Sequence, residues 1–207
     1  MESYIASIAA IVIAVLVYVF RKIFFRKYFV DKRDKKKYRI VKIGKYIWMA
    51  ENLAYDAPNI KSCCYDNDKD NCKKYGRLYD RKTAKDACPP GWHLPSHDEW
   101  KNLIESAGGD AVAGKKLKAK DGWKDYGETS GNGTDDFGFS ALPGGLVNSA
   151  GTHRYDRCDG RWWSNSESND DKPYAYGMVF HDKGDKVRPL SKKEDKDFFC
   201  SIRCVQD

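Results

Sequence analysis

The sequence predicts an α+β domain preceded by one membrane-spanning helix. Three observations lead to this fold class: an uncharged apolar run near the N-terminus, an amphipathic helix in mid-chain, and short β-favouring runs on either side of that helix. Aromatic residues make up 14% of the chain and glycines number 17, a composition that suits short strands and long structured loops. With 207 residues, the chain has room for one domain of ordinary size beside the helix.

The first predicted element is a membrane anchor, residues 1–22. Ser3 to Phe20 form an uncharged stretch rich in Ile, Val and Ala, which as a helix rising about 1.5 Å per residue would nearly span a bilayer. A cleaved signal peptide is the alternative, but the sequence lacks a basic n-region, and Arg21-Lys22 stands where a small-residue cleavage site belongs. We therefore expect a retained anchor that contacts lipid through residues 3–29.

Positive charge is concentrated directly after the anchor. Residues 21–45 hold 12 of the 37 basic side chains and only two acidic ones, whereas residues 46–207 carry 25 basic and 27 acidic side chains. We assign residues 23–37 to a basic juxtamembrane linker and residues 38–207 to the domain. A nucleic-acid-binding domain needs positive charge on its folded surface, so no nucleic-acid partner is expected.

Strand and helix signals follow one another along the domain. Two β-favouring runs flank Gly44-Lys45 and predict a hairpin over 38–43 and 46–50. The clearest helix begins at a capping box formed by Ser96 and Glu99 and repeats apolar residues at helical spacing. Further helices are predicted at 81–87 and 111–117, and further strands at 137–142, 161–165, 174–180 and 199–205.

Six sequence blocks resemble one protein family, in order from about residue 38 to the C-terminus. They are Ile47–Leu53, Tyr75–Tyr79, Cys88–Ser96, Phe137–Gly145, Trp162–Ser164 and Ser201–Val205. Together they resemble the Fibrobacter succinogenes major paralogous domain, a family whose fold is similar to that of C-type lectins. The resemblance implies a C-type-lectin-like domain with two main helices, short antiparallel strands and long loops.

The resemblance also implies a disulfide framework. In the lectin-like fold, a cysteine on the first helix is bridged to one on the last strand, and a second bridge ties the long loop. The two bridges so implied are Cys88–Cys204 and Cys158–Cys200. Cys64 and Cys72 are spaced to close a small local loop and make the third expected pair. Cys63 is left over from the odd count, and seven reduced, buried thiols are the alternative.

Charge and cysteines disagree about the side of the membrane on which the domain lies. Lysines and arginines directly after the anchor favour a cytoplasmic domain. Paired cysteines favour an oxidising compartment, and the family resembles secreted or surface proteins. We expect a single-pass membrane protein with an extracytoplasmic domain, and keep the cytoplasmic side as the alternative.

A ligand site is expected on the long loops between Gly122 and Glu167. The predicted contact residues, aromatic and polar, are Trp162, Trp163, Ser164, Asn165, Glu167 and Tyr174. Adjacent strand residues face opposite ways, so one tryptophan is expected in the core and the other at the surface. The Glu-Pro-Asn, Gln-Pro-Asp and Trp-Asn-Asp triplets of C-type lectins do not occur, so calcium-dependent sugar recognition is not expected.

One weak calcium site is predicted. Asp66, Asp68 and Asp70 alternate as hard oxygen ligands do in a calcium loop. Asn71 at the sixth position and Arg77 at the twelfth exclude an EF-hand, so a solvated turn is the alternative. No other metal and no cofactor is predicted.

The sequence carries no phosphate loop, dinucleotide fingerprint or nucleophile elbow. The expected function is therefore that of a non-catalytic surface module that binds a glycan or a protein. Cys200 and Cys204 resemble the paired cysteines of formylglycine-generating enzymes, which keeps a cysteine-dependent enzyme as one alternative. A structural envelope protein is the other.

Overall fold

The computed structural model describes residues 28–154, 157–167, 175–181, 183–189 and 198–207. Its strands are β1 (Tyr28–Val30), β2 (Lys37–Ile43), β3 (Tyr46–Met49), β4 (Ser62–Cys63), β5 (Leu78–Asp80), β6 (Trp92–His93), β7 (Leu146–Val147), β8 (His153–Arg154), β9 (Asp159–Glu167), β10 (Ala175–His181), β11 (Val187–Pro189), β12 (Phe199–Cys200) and β13 (Val205–Gln206). Its α-helices are α1 (Lys69–Tyr75), α2 (Arg81–Ala84), α3 (His97–Ser106) and α4 (Ala113–Leu117), and a 3₁₀ turn covers Tyr65–Asn67. Many short strands and few helices confirm the α+β class.

The predicted membrane anchor, residues 1–22, lies outside the described residues. Among the helices that are described, none combines the length and the apolar character needed to cross a bilayer.

The described strands form three sheets, with strand orders β1-β2-β3-β13-β6, β4-β5-β12-β7-β8 and β11-β10-β9. The first sheet brings the two ends of the domain together. Val205 on β13 lies opposite Trp48 on β3 and also opposite His93 on β6, so the C-terminal strand is inserted between the N-terminal hairpin and β6. Both edges of β13 are therefore paired with neighbouring strands.

The elements with strong local signals are confirmed. Gly44-Lys45 joins β2 to β3, and Gly44 takes the positive φ of 59° that such a turn needs. In α3, the hydroxyl of Ser96 accepts a hydrogen bond from the backbone N–H of Glu99, and the Glu99 side chain accepts from the backbone N–H of Ser96. This is the reciprocal capping box that the sequence predicts.

Three element predictions were wrong in their bounds or type. The helix predicted for 81–87 ends at Ala84, and the strand predicted for 199–205 is divided into β12 and β13. The segment 137–142 is a loop, since Gly138 and Ser140 have φ of 70° and 52°, which no strand residue adopts.

The domain also begins before residue 38, where the sequence placed its boundary. β1 pairs with β2 in register, with Tyr28 opposite Arg39 and Val30 opposite Lys37. In the turn between them, the fully buried carboxylate of Asp31 accepts hydrogen bonds from the backbone N–H of Arg33 at 3.0 Å and from its guanidinium Nη2 at 2.7 Å. Residues 28–30 and 37, predicted as linker, therefore belong to the sheet, and the turn between them is part of the domain.

Two of the three implied disulfides are present. Cys88 is bridged to Cys204 across 116 residues, and Cys64 to Cys72 across eight. Cys158 and Cys200 are not bridged to each other, which corrects that pairing. Trp162 on β9 lies opposite Ser201, so Cys200 falls beside Arg161 and not beside Cys158, which precedes β9.

A buried polar centre joins the N-terminal hairpin to the C-terminal segment. The guanidinium of fully buried Arg203 donates to the side-chain oxygen of Asn52, at 3.0 Å from Nε and 2.7 Å from Nη2. The indole N–H of Trp162 donates to the same oxygen at 2.8 Å, and the Asn52 amide donates to the carbonyl of Tyr75 at 2.8 Å. Asn52 thus links four separate stretches of the chain in the core.

Candidate ligand-binding site

The two tryptophans predicted as a ligand platform are both fully buried, which corrects the expectation that one faces solvent. The indole of Trp163 donates to the carbonyl of Tyr79 at 2.7 Å and stacks on Phe198 with ring centroids 5.0 Å apart. Trp162 packs edge-on against Phe180, with ring centroids 5.2 Å apart. Both faces of β9 are covered at this point, so alternation along the strand does not expose either ring.

The remaining predicted contact residues divide into two groups. Ser164 and Asn165 line a cleft in the described surface whose volume is about 690 Å³. The side chain of Glu167 and the whole of Tyr174 lie outside what the structure describes. The cleft is named the Lys82 cleft below, and the described residues that line it are Lys61, Asp80, Arg81, Lys82, Ala84, Lys85, Leu94, Ser149, Trp163, Ser164, Asn165 and Phe199.

One wall of the Lys82 cleft is built by α2 and the residues next to it. The Asp80 carboxylate caps α2 by accepting from the backbone N–H of Thr83 at 2.9 Å. The Thr83 hydroxyl in turn accepts from the backbone N–H of Lys61 at 3.1 Å, so the segment before β4 is fastened to the helix. These contacts bring the side chains of Lys61 and Lys82 to the same cleft.

The Lys82 cleft is strongly basic. Four of the described lining side chains are basic, namely Lys61, Arg81, Lys82 and Lys85, and among the residues that the structure describes Asp80 is the one acidic member of the lining. The Asp80 carboxylate is already engaged by α2. Because residues 46–207 carry slightly more acidic than basic side chains, the positive charge of this cleft is local, and it favours anionic groups there.

An aromatic surface does exist in the cleft, but on a residue that the sequence analysis did not single out. Phe199 is half-buried and lines the cleft, with the Lys61 ammonium 5.4 Å from its ring centroid. Leu94 and the buried Trp163 extend this apolar floor. Phe199 begins the strand predicted for 199–205 and directly follows Phe198, so the alternation rule extended back by one residue would have indicated one outward aromatic ring.

The three predicted calcium ligands are not brought together. Asp68 caps α1 by accepting from the backbone N–H of Asp70 at 2.9 Å. The Asp70 carboxylate instead pairs with Lys73 at 2.8 Å. Among the described residues, no group of three or more His, Cys, Asp or Glu side chains is arranged to hold a metal ion.

Cys200 and Cys204, the pair that resembled a catalytic one, lie in different surroundings. Cys204 forms the bridge to Cys88, and Cys200 is fully buried in β12. Reactive cysteines need an accessible thiolate, and neither position provides one in this state of the protein.

The chain is similar to a known protein family. The model of the Fibrobacter succinogenes major domain matches residues 41–206. Neither a curated protein nor a solved structure matches the chain.

Proposed function

This chain belongs to the Fibrobacter succinogenes major domain family, and we propose that it is a membrane-tethered, non-catalytic module that binds an acidic glycan in the Lys82 cleft. The observation that carries the proposal is the composition of that cleft, in which four basic side chains surround an apolar floor and three uncharged polar side chains. Basic side chains around an apolar floor suit a ligand that combines anionic groups with an apolar face.

Each part of the cleft has a role in the proposal. The lysines supply charge for carboxylate groups on the glycan. Phe199 supplies an apolar surface for the C–H face of a sugar ring. Ser164 and Asn165 supply hydrogen-bond partners for hydroxyl groups.

The C-type-lectin-like fold is part of the same proposal. Its support is the insertion of β13 beside the N-terminal hairpin and the Cys88–Cys204 bridge, which join the ends of the domain as the resemblance implies. Fold alone does not determine function, so the ligand is argued from the cleft and not from this likeness.

The tether and the compartment are proposed from the sequence and the disulfides together. Residues 1–22 would anchor the protein, and two bridged pairs favour an oxidising compartment outside the cytoplasm. Membrane-impermeant protease applied to intact cells tests this placement. Loss of the domain supports it, and full protection with intact anchor would place the domain on the cytoplasmic side.

Binding is tested with the full chain in nonionic detergent on an array of carboxylate-bearing, sulfated and neutral glycans, with acidic peptides on the same surface. We expect retention of carboxylate-bearing glycans, weakened by salt because the charges are exposed. The double substitution Lys82→Gln/Lys85→Gln should reduce binding by about tenfold or more.

The matched control is Lys42→Gln/Lys45→Gln, which removes the same charge from exposed positions that do not line the cleft. This control should bind as the wild type does. Equal retention of neutral and acidic glycans, or binding to acidic peptides alone, would contradict the proposed ligand. An absence of all binding would favour a structural role in the envelope.

A further inference from the structure

A second cleft, separate from the Lys82 cleft, lies on the described surface. Its volume is about 460 Å³, and it shares no lining residue with the first. Four stretches of the chain enclose it: the β2–β3 hairpin, the end of α1, the segment after α4, and the loop at 135–142. Its lining is Lys36, Arg39, Ala50, Glu51, Asn52, Lys73, Lys74, Gly76, Ala119, Lys120, Asp121, Asp135, Ser140 and Leu142, and it is named the Lys36 cleft.

The acidic side chains of this cleft are mostly engaged. Glu51 pairs with the Nε of Arg39 at 3.0 Å. Asp135 accepts from the backbone N–H and from the hydroxyl of Ser140, both at 2.7 Å. Of the three acidic residues in the lining, Asp121 alone has no such contact among the described residues.

Three lysines in the lining, by contrast, have no carboxylate within 4.0 Å among the described residues: Lys36, Lys74 and Lys120. Lys74 and Lys120 are exposed, but Lys36 is only partly so. Burial lowers the pKa of the Lys36 ammonium, against the opposing charges of Glu51 and Asp34. Partial burial of an ammonium with no carboxylate within 4.0 Å among the described residues is unfavourable, and an anionic ligand would offset that cost.

Arg39 offers a donor that is already held in place. Its Nε donates to Glu51, and its Nη2 donates to the carbonyl of Ala50 at 3.3 Å and the hydroxyl of Ser140 at 3.2 Å. Its Nη1 donates to none of the described residues. A guanidinium fixed in this way loses little conformational entropy when it binds an anion.

The backbone of the cleft is strained at two of its lining residues. Asp135 has φ of 49° and Ser140 has φ of 52°, values that residues with side chains rarely adopt. Such conformations cost free energy and are concentrated at ligand sites. Here the two strained residues are hydrogen-bonded to each other. The Ser140 hydroxyl also accepts from Nη2 of Arg39.

From this arrangement we infer that the Lys36 cleft is a binding site for a phosphate-monoester group. Lysine ammonium groups bind phosphate as point charges, and the remaining N–H of Arg39 adds a directed donor. The volume is at the small end of the range for ligand pockets and suits a sugar phosphate or a single lipid headgroup. The inference does not depend on the Lys82 cleft or on its ligand.

The test is isothermal titration of the full chain in nonionic detergent with glucose 6-phosphate, inorganic phosphate and, separately, vesicles of phosphatidic acid in phosphatidylcholine. Saturable binding of a phosphate monoester is expected, with glucose as the neutral reference. Binding to the vesicles but not to the soluble phosphates would assign the phosphate to a lipid headgroup. Heat from none of the three phosphate probes would overturn the inference.

Substitutions assign the binding to this cleft. Lys36→Gln/Lys120→Gln should weaken phosphate binding by about tenfold or more, while Lys36→Arg/Lys120→Arg, which keeps the charge, should retain it. Lys82→Gln/Lys85→Gln in the other cleft and Lys42→Gln/Lys45→Gln outside both should leave it unchanged. Equal binding by the glutamine and arginine variants of the Lys36 cleft, both folded by circular dichroism, would contradict the assignment.

Discussion

At the scale of the residue, the core is organised around the buried guanidinium of Arg203, which bonds to no carboxylate among the described residues. Burial lowers the pKa of Arg203 to about 9, which still leaves the guanidinium protonated at neutral pH. The guanidinium N–H groups donate to Asn52 and to backbone carbonyls. The Cζ of Arg203 lies 4.5 Å from the ring centroid of Phe139. The planar fork, and not the charge alone, is therefore what the site accommodates.

Substitution of Arg203 by lysine tests this reading. Lysine keeps the charge but cannot reach both Asn52 and the carbonyls, so we expect the free energy of unfolding to fall by about 2–4 kcal/mol. Arg39→Lys, at an exposed ion pair with Glu51, should cost less than about 1 kcal/mol. Urea unfolding of both variants measures the difference, and similar losses for the two would contradict the account.

A second residue-scale feature is a histidine between two carboxylates. His93 contacts Asp207 at 2.7 Å through Nδ1 and Glu99 at 2.8 Å through Nε2. Burial works to lower the pKa of His93, but the hydrogen bonds and charges of Asp207 and Glu99 prevail and raise it. The protonated form is therefore favoured in the folded state.

The sign of the pH dependence follows from that direction. Because the pKa of His93 is higher in the folded than in the unfolded chain, its contribution to stability is complete below the unfolded value of about 6.5 and is lost as pH rises through the folded value. His93→Gln should therefore lose more stability at pH 5.5 than at pH 8.5, as measured by urea unfolding at each pH. Glu99→Gln keeps the capping box and should also flatten the profile; a stability difference independent of pH would refute this.

At the scale of the element, local signals were sufficient for some structures and not for others. The β2–β3 hairpin and α3 could be predicted because Gly44 and the Ser96–Glu99 box determine their own backbone. The loop at 137–142 could not, since its β-favouring residues are overridden by the contacts of Asp135 with Ser140. Strand propensity is weak against such tertiary contacts.

The candidate site was predictable only in part for a similar reason. Ser164 and Asn165 were found because they follow a tryptophan pair in a recognisable block. Lys61 and Lys82 come from a distant part of the chain and meet Ser164 only through the fold. A basic cleft in a domain of nearly balanced charge leaves no signature in the composition.

The turn after β1 provides an element-scale prediction. Asp31 is fully buried and pairs with Arg33, whose guanidinium lies 3.7 Å from the ring centroid of Tyr55. Asp31→Ala leaves that guanidinium partly buried and unpaired, so we expect a loss of about 2–3 kcal/mol in unfolding free energy. Asp34→Ala removes an exposed carboxylate in the same turn, which accepts from the backbone N–H of Lys36 at 2.9 Å, and should cost less, about 1 kcal/mol or below. Equal effects would contradict a stabilising role for the buried Asp31–Arg33 pair.

At the scale of the whole molecule, the ends of the domain are closed on each other by a sheet and by a covalent bridge. In the chain-entropy model, the Cys88–Cys204 loop of 116 residues contributes about 5 kcal/mol, and the short Cys64–Cys72 loop about half of that. Cys88→Ser/Cys204→Ser should therefore lower the midpoint of urea unfolding more than Cys64→Ser/Cys72→Ser does. The reverse order would contradict the central role of the long bridge.

The closed scaffold positions a basic cleft on a domain whose overall charge is nearly balanced, and the proposed function depends on that cleft. The most direct measurement is a ¹⁵N chemical-shift titration of the full chain in detergent micelles with trigalacturonic acid, a carboxylate-bearing oligosaccharide. The account expects saturable shifts in the amide signals of Lys61, Lys82, Asn165 and Phe199. Absence of saturable shifts, or shifts confined to residues outside the Lys82 cleft, would contradict it.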